Sequence, residues 1–431
     1  MYTYIKELIT NNVYDVIVIG GGPSGVAAAA AAGREGSKTL LIESTSTLGG
    51  MGTIGLVSIW CHFSDKEKII YRSLAEKVLR ESKKNVINVS EDRIDGVPID
   101  SEALKRVYDN LLKEYNVDIL FNTTLCDCIK ENDEIKGIII NNKQGLQVYN
   151  AKIFIDTTGD ADLVAMAGLE TNKDEKLIQP STLCFVISNV NISEYYKFGN
   201  LHGSNPNSII HKIIADKKYP LIDGHVCAGL VGPNTLSFNA GHVPNVDVTN
   251  PIEYSKGMIK GRETARQYHE ALKEYLPEAF KDSFLVETAP SLGIRESRRI
   301  IGDYILNLDD YAERRIFNDE IGRSSYPIDV HGNANAAKPS GKYAHYGVGE
   351  SFGIPYRTLT PKGLKNVLVA GKAISADRMA QGSIRVMGVC LVTGEAAGTA
   401  SSFALNNNND VHSIDTNKLR DKLRSYGAYF K

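Results

Sequence analysis

Four short runs of unbroken apolar, largely β-branched residues stand out from the polar background: residues 14–20 (YDVIVIG), 38–43 (KTLLIE), 152–156 (KIFID) and 366–370 (NVLVA). A strand covered on both faces shows no alternation, so these runs predict the buried strands of a parallel sheet. Between the first two, residues 24–34 are alanine-rich and close at Gly36, which predicts a helix and with it a βαβ unit of about thirty residues. Residues 100–115 have the 3.6-residue period of an amphipathic helix, with Asp100 as its N-cap. Strand-like runs at 117–121, 125–130, 135–141 and 146–149 are separated by polar turns such as Asn132-Asp133, and predict antiparallel hairpins.

The pattern changes over residues 175–345, where strand-like runs (182–189, 285–290, 298–305) accompany one long helical stretch at about 251–274. This predicts a second domain inserted into the first. After the 366–370 strand, one helix over about 384–404 carries Gly388, Gly394, Ala396, Ala397 and Gly398, small residues that permit close packing. A polar break at 406–410 precedes a short tail helix near 415–424.

Composition narrows the class. The 431 residues are 42% hydrophobic and 23% charged, an ordinary globular balance. With 49 basic and 51 acidic residues the net charge is −2, so a nucleic-acid partner is disfavoured. The first twelve residues lack the apolar core of a signal peptide, and no run is long enough to span a bilayer, so a cytoplasmic protein without membrane insertion is expected. Six cysteines without any CxxC spacing read as reduced thiols, and neither an iron–sulfur cluster nor another metal site is expected.

The chemistry starts at Gly20, Gly22 and Gly25, a GxGxxG between strand and helix. Gly20 permits the tight turn, Gly22 lets a pyrophosphate approach the backbone, and Gly25 lets the helix pack on the strand. The helix start, with Pro23 and Ser24, offers free N–H groups and a partial positive charge to phosphates. Glu43 ends the next strand where a carboxylate grips ribose hydroxyls, so a dinucleotide is the expected ligand. The βαβ unit alone does not choose between FAD and NAD. Gly49, Gly50 and Met51 follow Glu43 directly and bring backbone N–H groups to a pyrophosphate or flavin. Thr158, Gly159 and Asp160 end a late strand, and Gly371 with the following helix returns the chain to the first domain. These segments favour FAD. No second GxGxxG follows a strand, so no dedicated NADPH domain is expected.

These segments resemble the FAD-dependent oxidoreductases of the glutathione-reductase-like flavoprotein superfamily. The similarity runs through YDVIVIGGGPSGVAAAAAAG, LLIESTSTLGGMGTIGLV, FIDTTGDADLVAMAG, GIRESRRIIGDY, YPIDVH, IPYRTLTPKGLKNVLVAGKAIS and RVMGVCLVTGEAAGTA, in order from about residue 15 to 400. The resemblance implies an α/β fold: a discontinuous three-layer Rossmann-like FAD-binding domain (1–174 and 346–405), an inserted mixed α+β substrate domain (175–345) and a tail helix (406–431). It also implies that Gly22 and Glu43 lie at the adenosine diphosphate, with the start of the 384–404 helix near the flavin pyrimidine ring. Lys372 stands where the family usually has Arg, and Gly388 where Pro is common.

Several candidates keep two readings. Ser383 and Arg385, at the start of that helix, either stabilise negative charge on reduced flavin or serve as an N-cap and a solvated arginine. Arg295 and Arg299, if extended, share one face and hold an anionic substrate; otherwise they pair with Glu296 and Asp303. His331 either exchanges a proton or is structural, as does His242. Cys61 or His62 is a conceivable covalent flavin attachment, and Tyr343, His345 and Tyr346 line a pocket or form an ordinary loop. The expected function is hydride transfer between a small, anionic organic substrate and flavin N5, with an unknown second electron donor or acceptor. The alternative is a flavin-carrying subunit that passes electrons to a partner protein.

Overall fold

The computed structural model describes residues 3, 5–12, 14–84, 86–173, 178–332 and 345–431. Its centre is a five-stranded parallel sheet of β1 (Val16–Ile19), β2 (Thr39–Ile42), β3 (Asp118–Leu120), β4 (Ile153–Asp156) and β5 (Val367–Val369), in the order β5-β4-β1-β2-β3. Alternate side chains of β1 serve opposite faces, and both faces are buried. Val16 and Val18 meet the alanines of α1 (Pro23–Arg34), whereas Ile17 and Ile19 meet Ile135, Ile138 and Ile140 of an antiparallel meander. The three layers are therefore helices, parallel sheet and meander, an α/β arrangement whose unalternating strands have apolar cover on each side.

The meander comprises Thr124–Glu131, Glu134–Asn142 and Gly145–Asn150, as the hairpin pattern predicted. The run at 117–121 is different: β3 pairs parallel with β2 and not with the meander. The helix before it explains this, because α2 (Ser101–Glu114) carries the chain back across the sheet as a crossover. Asp100 caps α2 by accepting from the amides of Glu102 and Ala103.

A second sheet, ordered Val226–Gly232, Thr235–Ala240, Phe185–Ser188 and Phe284–Thr288, is wholly antiparallel. It has its own core against α3 (Pro251–Tyr275), in which Phe185 and Phe238 stack with centroids 5.2 Å apart. The junction expected at 174–175 falls outside the described residues, as does Tyr343. Tyr346 is buried, stacked on Tyr311, so it forms part of the core.

The helix predicted over about 384–404 is α5 (Met387–Leu405), and a separate short helix, α4 (Arg378–Ile384), precedes it. Val386 is extended (φ −68°, ψ 147°) and breaks the run, leaving Arg385 in the joint. The small residues of α5 act as expected. A Cβ on Gly394 or Gly398 would overlap the carbonyls of Ser24 or Ala28, so α5 lies backbone-close on α1. No helix among the described residues is long and apolar enough to cross a membrane.

Candidate active site

The chain turns at Gly20 (φ 100°) as it leaves β1, and Gly25 packs so tightly on the Gly20 carbonyl that a Cβ there would overlap it. Gly22 differs: a Cβ built on it meets no atom within 4 Å. That side of the turn opens into a cavity of about 420 Å³ bounded by Gly20, Pro23, Ser24, Glu43, Met51 and Asp160, among others. Gly49 (φ 101°) donates its N–H to the Gly21 carbonyl at 2.7 Å, which ties the second glycine loop to the first and brings Gly50 onto the cavity wall. Glu43 accepts from the backbone N–H of Gly21 at 2.6 Å and of Thr45 at 2.7 Å. Its carboxylate thus braces the turn from the cavity edge.

Thr158 and Gly159 (φ 82°) line the same cavity beyond the end of β4. Lys372 bonds the Gly159 carbonyl and pairs with Asp160 at 2.7 Å. Asp162, also on this wall, is pushed up to about 6 by burial and by its neighbours Asp156 and Asp160. Gly371 (φ 89°) stands behind the cavity, where a Cβ would press on the Ser24 side chain. Gly25 and Gly49 likewise shape the wall from behind it.

A second cavity of about 430 Å³ adjoins the first, and the two share Met51, Ile294, Lys372, Arg385 and Met387. Its far wall carries Arg295, His225, Asp329 and His331, with Cys61, His62 and Tyr326 closing other sides. Arg295 donates through Nη1 to the Pro180 carbonyl (2.7 Å) and Thr182 (2.9 Å), and through Nη2 to His225 Nε2 (3.2 Å). Burial and the nearby Arg385 lower its pKa to about 10, which leaves it charged at neutral pH. His225 is driven down to about 2, by burial first and then by Arg295, so it is a neutral acceptor. Burial also pushes the Cys61 thiol up to about 11 and keeps it protonated.

Two expected residues lie elsewhere. Arg299 lines neither cavity: it is buried, paired with Glu296 at 2.8 Å and bonded to the Ala376 carbonyl. Arg299 opens a short strand (Arg299–Ile300), and its guanidinium is taken by Glu296 and the Ala376 carbonyl, so it does not join Arg295 on the cavity wall. Glu296 is held by Arg378 as well, so Arg299 completes an internal ion-pair cluster. Ser383 is inside α4, not at a helix start, and donates to the Tyr326 carbonyl. Arg385 is the residue that the helix break presents. Its Nη2 bonds Asp329, while its buried Nε has no protein partner.

The sequence profile of the FAD dependent oxidoreductase family matches residues 15–423. The chain belongs to that family. This FAD-dependent oxidoreductase is 30% identical over 172 residues to a thiamine thiazole synthase of Methanococcus vannielii, covering 37% of this chain and 61% of that protein. It is 26% identical over 206 residues to digeranylgeranylglycerophospholipid reductase 2 of Methanococcoides burtonii, covering 43% of this chain and 48% of the other. The chain therefore spans less than two thirds of the length of either relative. A solved geranylgeranyl bacteriochlorophyll reductase-like protein from Thermoplasma acidophilum aligns with a TM-score of 0.49 at 15% identity, over 96% of this chain and 83% of that one.

The first cavity fits the cofactor of this FAD-dependent oxidoreductase. The empty space beside Gly22 is kept by the glycine alone, and the first turn of α1 leaves amides there without intrahelical partners. The second cavity was only partly legible. YPIDVH marks His331 as a candidate but gives Asp329, two positions earlier, no separate signal. His225 carries no local signal at all, since only tertiary folding brings it to Arg295.

Proposed function

We propose that this enzyme exchanges a hydride between flavin N5 and a small carboxylate-bearing substrate seated in the second cavity. The observation that carries the reading is the junction: the nucleotide cavity and a chamber walled by the buried Arg295 and the partly buried Arg385 share Arg385, Met387 and Lys372. Gly22, Glu43 and the start of α1 would hold the adenosine diphosphate half of FAD, and Met51, Lys372 and Met387 would flank its flavin end. When bound, FAD supplies the two-electron chemistry that no side chain of the chain provides. The βαβ unit with Glu43 supports a place among the glutathione-reductase-like flavoproteins.

The protein's part is orientation and charge. Arg295 and Arg385 carry two positive charges and Asp329 one negative, so this trio leaves the chamber a net positive charge toward an anion. The Arg385 guanidinium stands at the junction itself, a charge-assisted donor group whose buried Nε–H has no protein partner. The amides of the first turn of α5, beginning at Met387, add a partial positive charge at the same point. Arg295 is fixed by three acceptors, so it presents its charge without losing side-chain freedom on binding. An anaerobic screen of small carboxylic acids against their neutral amides, following flavin bleaching, tests this. Reduction by amides as fast as by acids would remove the role given to the arginines.

A further inference from the structure

Four side chains from three separate segments line up through their hydrogen-bonding atoms. Asp223 Oδ2 is 2.9 Å from His242 Nδ1, His242 Nε2 is 2.8 Å from His331 Nδ1, and His331 Nε2 is 3.0 Å from Asp329 Oδ1. We propose that Asp223, His242, His331 and Asp329 form a proton relay between solvent and the substrate chamber. The proposal rests on reading the second cavity as the substrate site.

Counting protons shows why the row can conduct. Three hydrogen bonds require three protons, yet two neutral imidazoles and two carboxylates supply only two. With the 2.8 Å His242–His331 hydrogen bond made, one proton remains for the two outer contacts, so one end of the row has an open acceptor. When His242 donates to Asp223 and His331 donates to His242, the open atom is His331 Nε2, beside Asp329. In the mirror tautomer the open atom is His242 Nδ1, beside Asp223. A proton entering at one end and another leaving at the other converts one form into its mirror, and rotation of the rings restores it.

The two ends face different surroundings. His331 and Asp329 line the chamber, and Asp329 also accepts from Arg385 at the junction. Asp223 and His242 line neither cavity, and the Asp223 side chain is 37% exposed. The step balances for a substrate with an H–C–O–H or H–C–N–H unit. With FAD bound as the oxidant, the carbon-bound hydrogen would leave as hydride, carrying two electrons. The O–H or N–H bond breaks with its electron pair retained, closing C=O or C=N, and the proton bonds to His331 Nε2, directly or through Asp329. The Nδ1 proton of His331 then passes to His242 Nε2, and that of His242 Nδ1 passes to Asp223 and to water. Reduction of an unsaturated substrate runs the transfers in reverse.

The surroundings disfavour an extra proton on His331. Arg295 and Arg385 are nearby cations, and His225 stacks on His242 with centroids 4.7 Å apart while accepting from Arg295. His202 and Cys227 complete the chamber wall on that side, and the Tyr268 hydroxyl donates to the Asp223 carbonyl. Burial and Arg295 hold His331 below the usual histidine range, although Asp329 acts in the opposite sense. The ligand nitrogens of His225, His242 and His331 lie within 4.8 Å of one another, as in a metal site. The His225 Nε2 lone pair is already engaged by a buried guanidinium, however, and two arginines repel a divalent ion. A proton is the cation that suits the pair.

The test is nitrogen-15 histidine NMR on the flavin-loaded protein, measuring exchange of the ring N–H protons of His242 and His331 with water. In Asp223→Asn the amide still accepts a hydrogen bond but does not take up and release the proton. Exchange is expected to slow by at least about tenfold with melting temperature and flavin spectrum unchanged, and to recover in Asp223→Glu. His331→Gln, cut on the chamber side, is expected to leave His242 exchanging at the wild-type rate; slowing there would contradict an outlet through Asp223. If Asp223→Asn does not fold, the His331→Gln result decides alone. Unchanged exchange in Asp223→Asn overturns the relay. So does stoichiometric binding of Zn²⁺ on dialysis that is lost in His242→Gln. Flavin content measured on the same samples separates a failed relay from a failed assignment of the cofactor.

Discussion

Arg385 and Asp329 hold each other at the meeting point of the two cavities: one guanidinium nitrogen of Arg385 donates to the Asp329 backbone carbonyl at 2.8 Å and to its carboxylate at 2.9 Å. The contact exists because Val386 interrupts what would be one helix, freeing Arg385 to turn toward the segment at 325–332. It leaves Nε pointing at no protein acceptor. Arg385→Met is expected to retain FAD but to weaken the binding of small carboxylates, read from their perturbation of the flavin spectrum. Loss of one charge-assisted contact is about 1.5–3 kcal/mol, or one to two decades in Kd. An unchanged Kd would show that anions do not reach Arg385.

Gly22→Val separates folding from cofactor retention. Gly22 has φ −66° and open space where a Cβ would go, so valine strains neither the backbone nor the packing. The variant should fold with near-normal circular dichroism and purify without flavin. Gly394→Val should instead lose the fold, because its side chain would drive α5 off the Ser24 carbonyl. A yellow Gly22→Val protein would mean that the phosphates lie elsewhere.

Arg295 and Arg299 should part company on mutation. Arg299→Met removes one partner of a buried ion pair, which typically costs about 3–5 kcal/mol. The residual bond from Arg378 to Glu296 argues for the lower end. Its anion affinity per folded molecule should match the wild type. Arg295→Met should weaken anion binding more than it changes flavin content. Urea unfolding and flavin-perturbation titrations on both variants check this, and equal losses of anion affinity in the two would contradict the placement.

Much of the nucleotide half was readable from sequence because its physics is local. A buried strand, a glycine turn and an alanine helix each follow from neighbouring residues, and Asp100 and Gly394 behave as their residue types dictate. The substrate half was less so. Arg295 and Arg299 are close in sequence, but Glu296 captures the Arg299 side chain in an ion pair that no periodicity signals. His242 and His331 are 89 positions apart, and nothing in either segment announces their contact. The break at Val386 has no signal in the pattern, because Ile384, Val386 and Met387 are all apolar and only the backbone angles separate α4 from α5.

The pH dependence of stability should report His225. Its folded pKa is depressed to about 2, against about 6.5 in the unfolded chain, so the folded state binds fewer protons between those values. The stability is then complete above pH 6.5 and lost as pH falls below it, by up to about 1.4 kcal/mol per pH unit. Urea midpoints between pH 5 and 7.5 should therefore fall on the acid side in the wild type and fall less in His225→Gln. An identical slope in the variant would assign the acid sensitivity to other groups.

The most direct measurement is anaerobic reduction of the purified protein by a panel of small hydroxy- and amino-carboxylic acids, monitored by loss of oxidised-flavin absorbance. The expected result is stoichiometric bleaching by at least one acid, slow or absent bleaching by its amide, and loss of the response in Arg295→Met and Arg385→Met with FAD still bound. Bleaching by a reduced carrier protein but by no small molecule, or equal bleaching by acid and amide, would contradict the assignment of the second cavity to an anionic substrate.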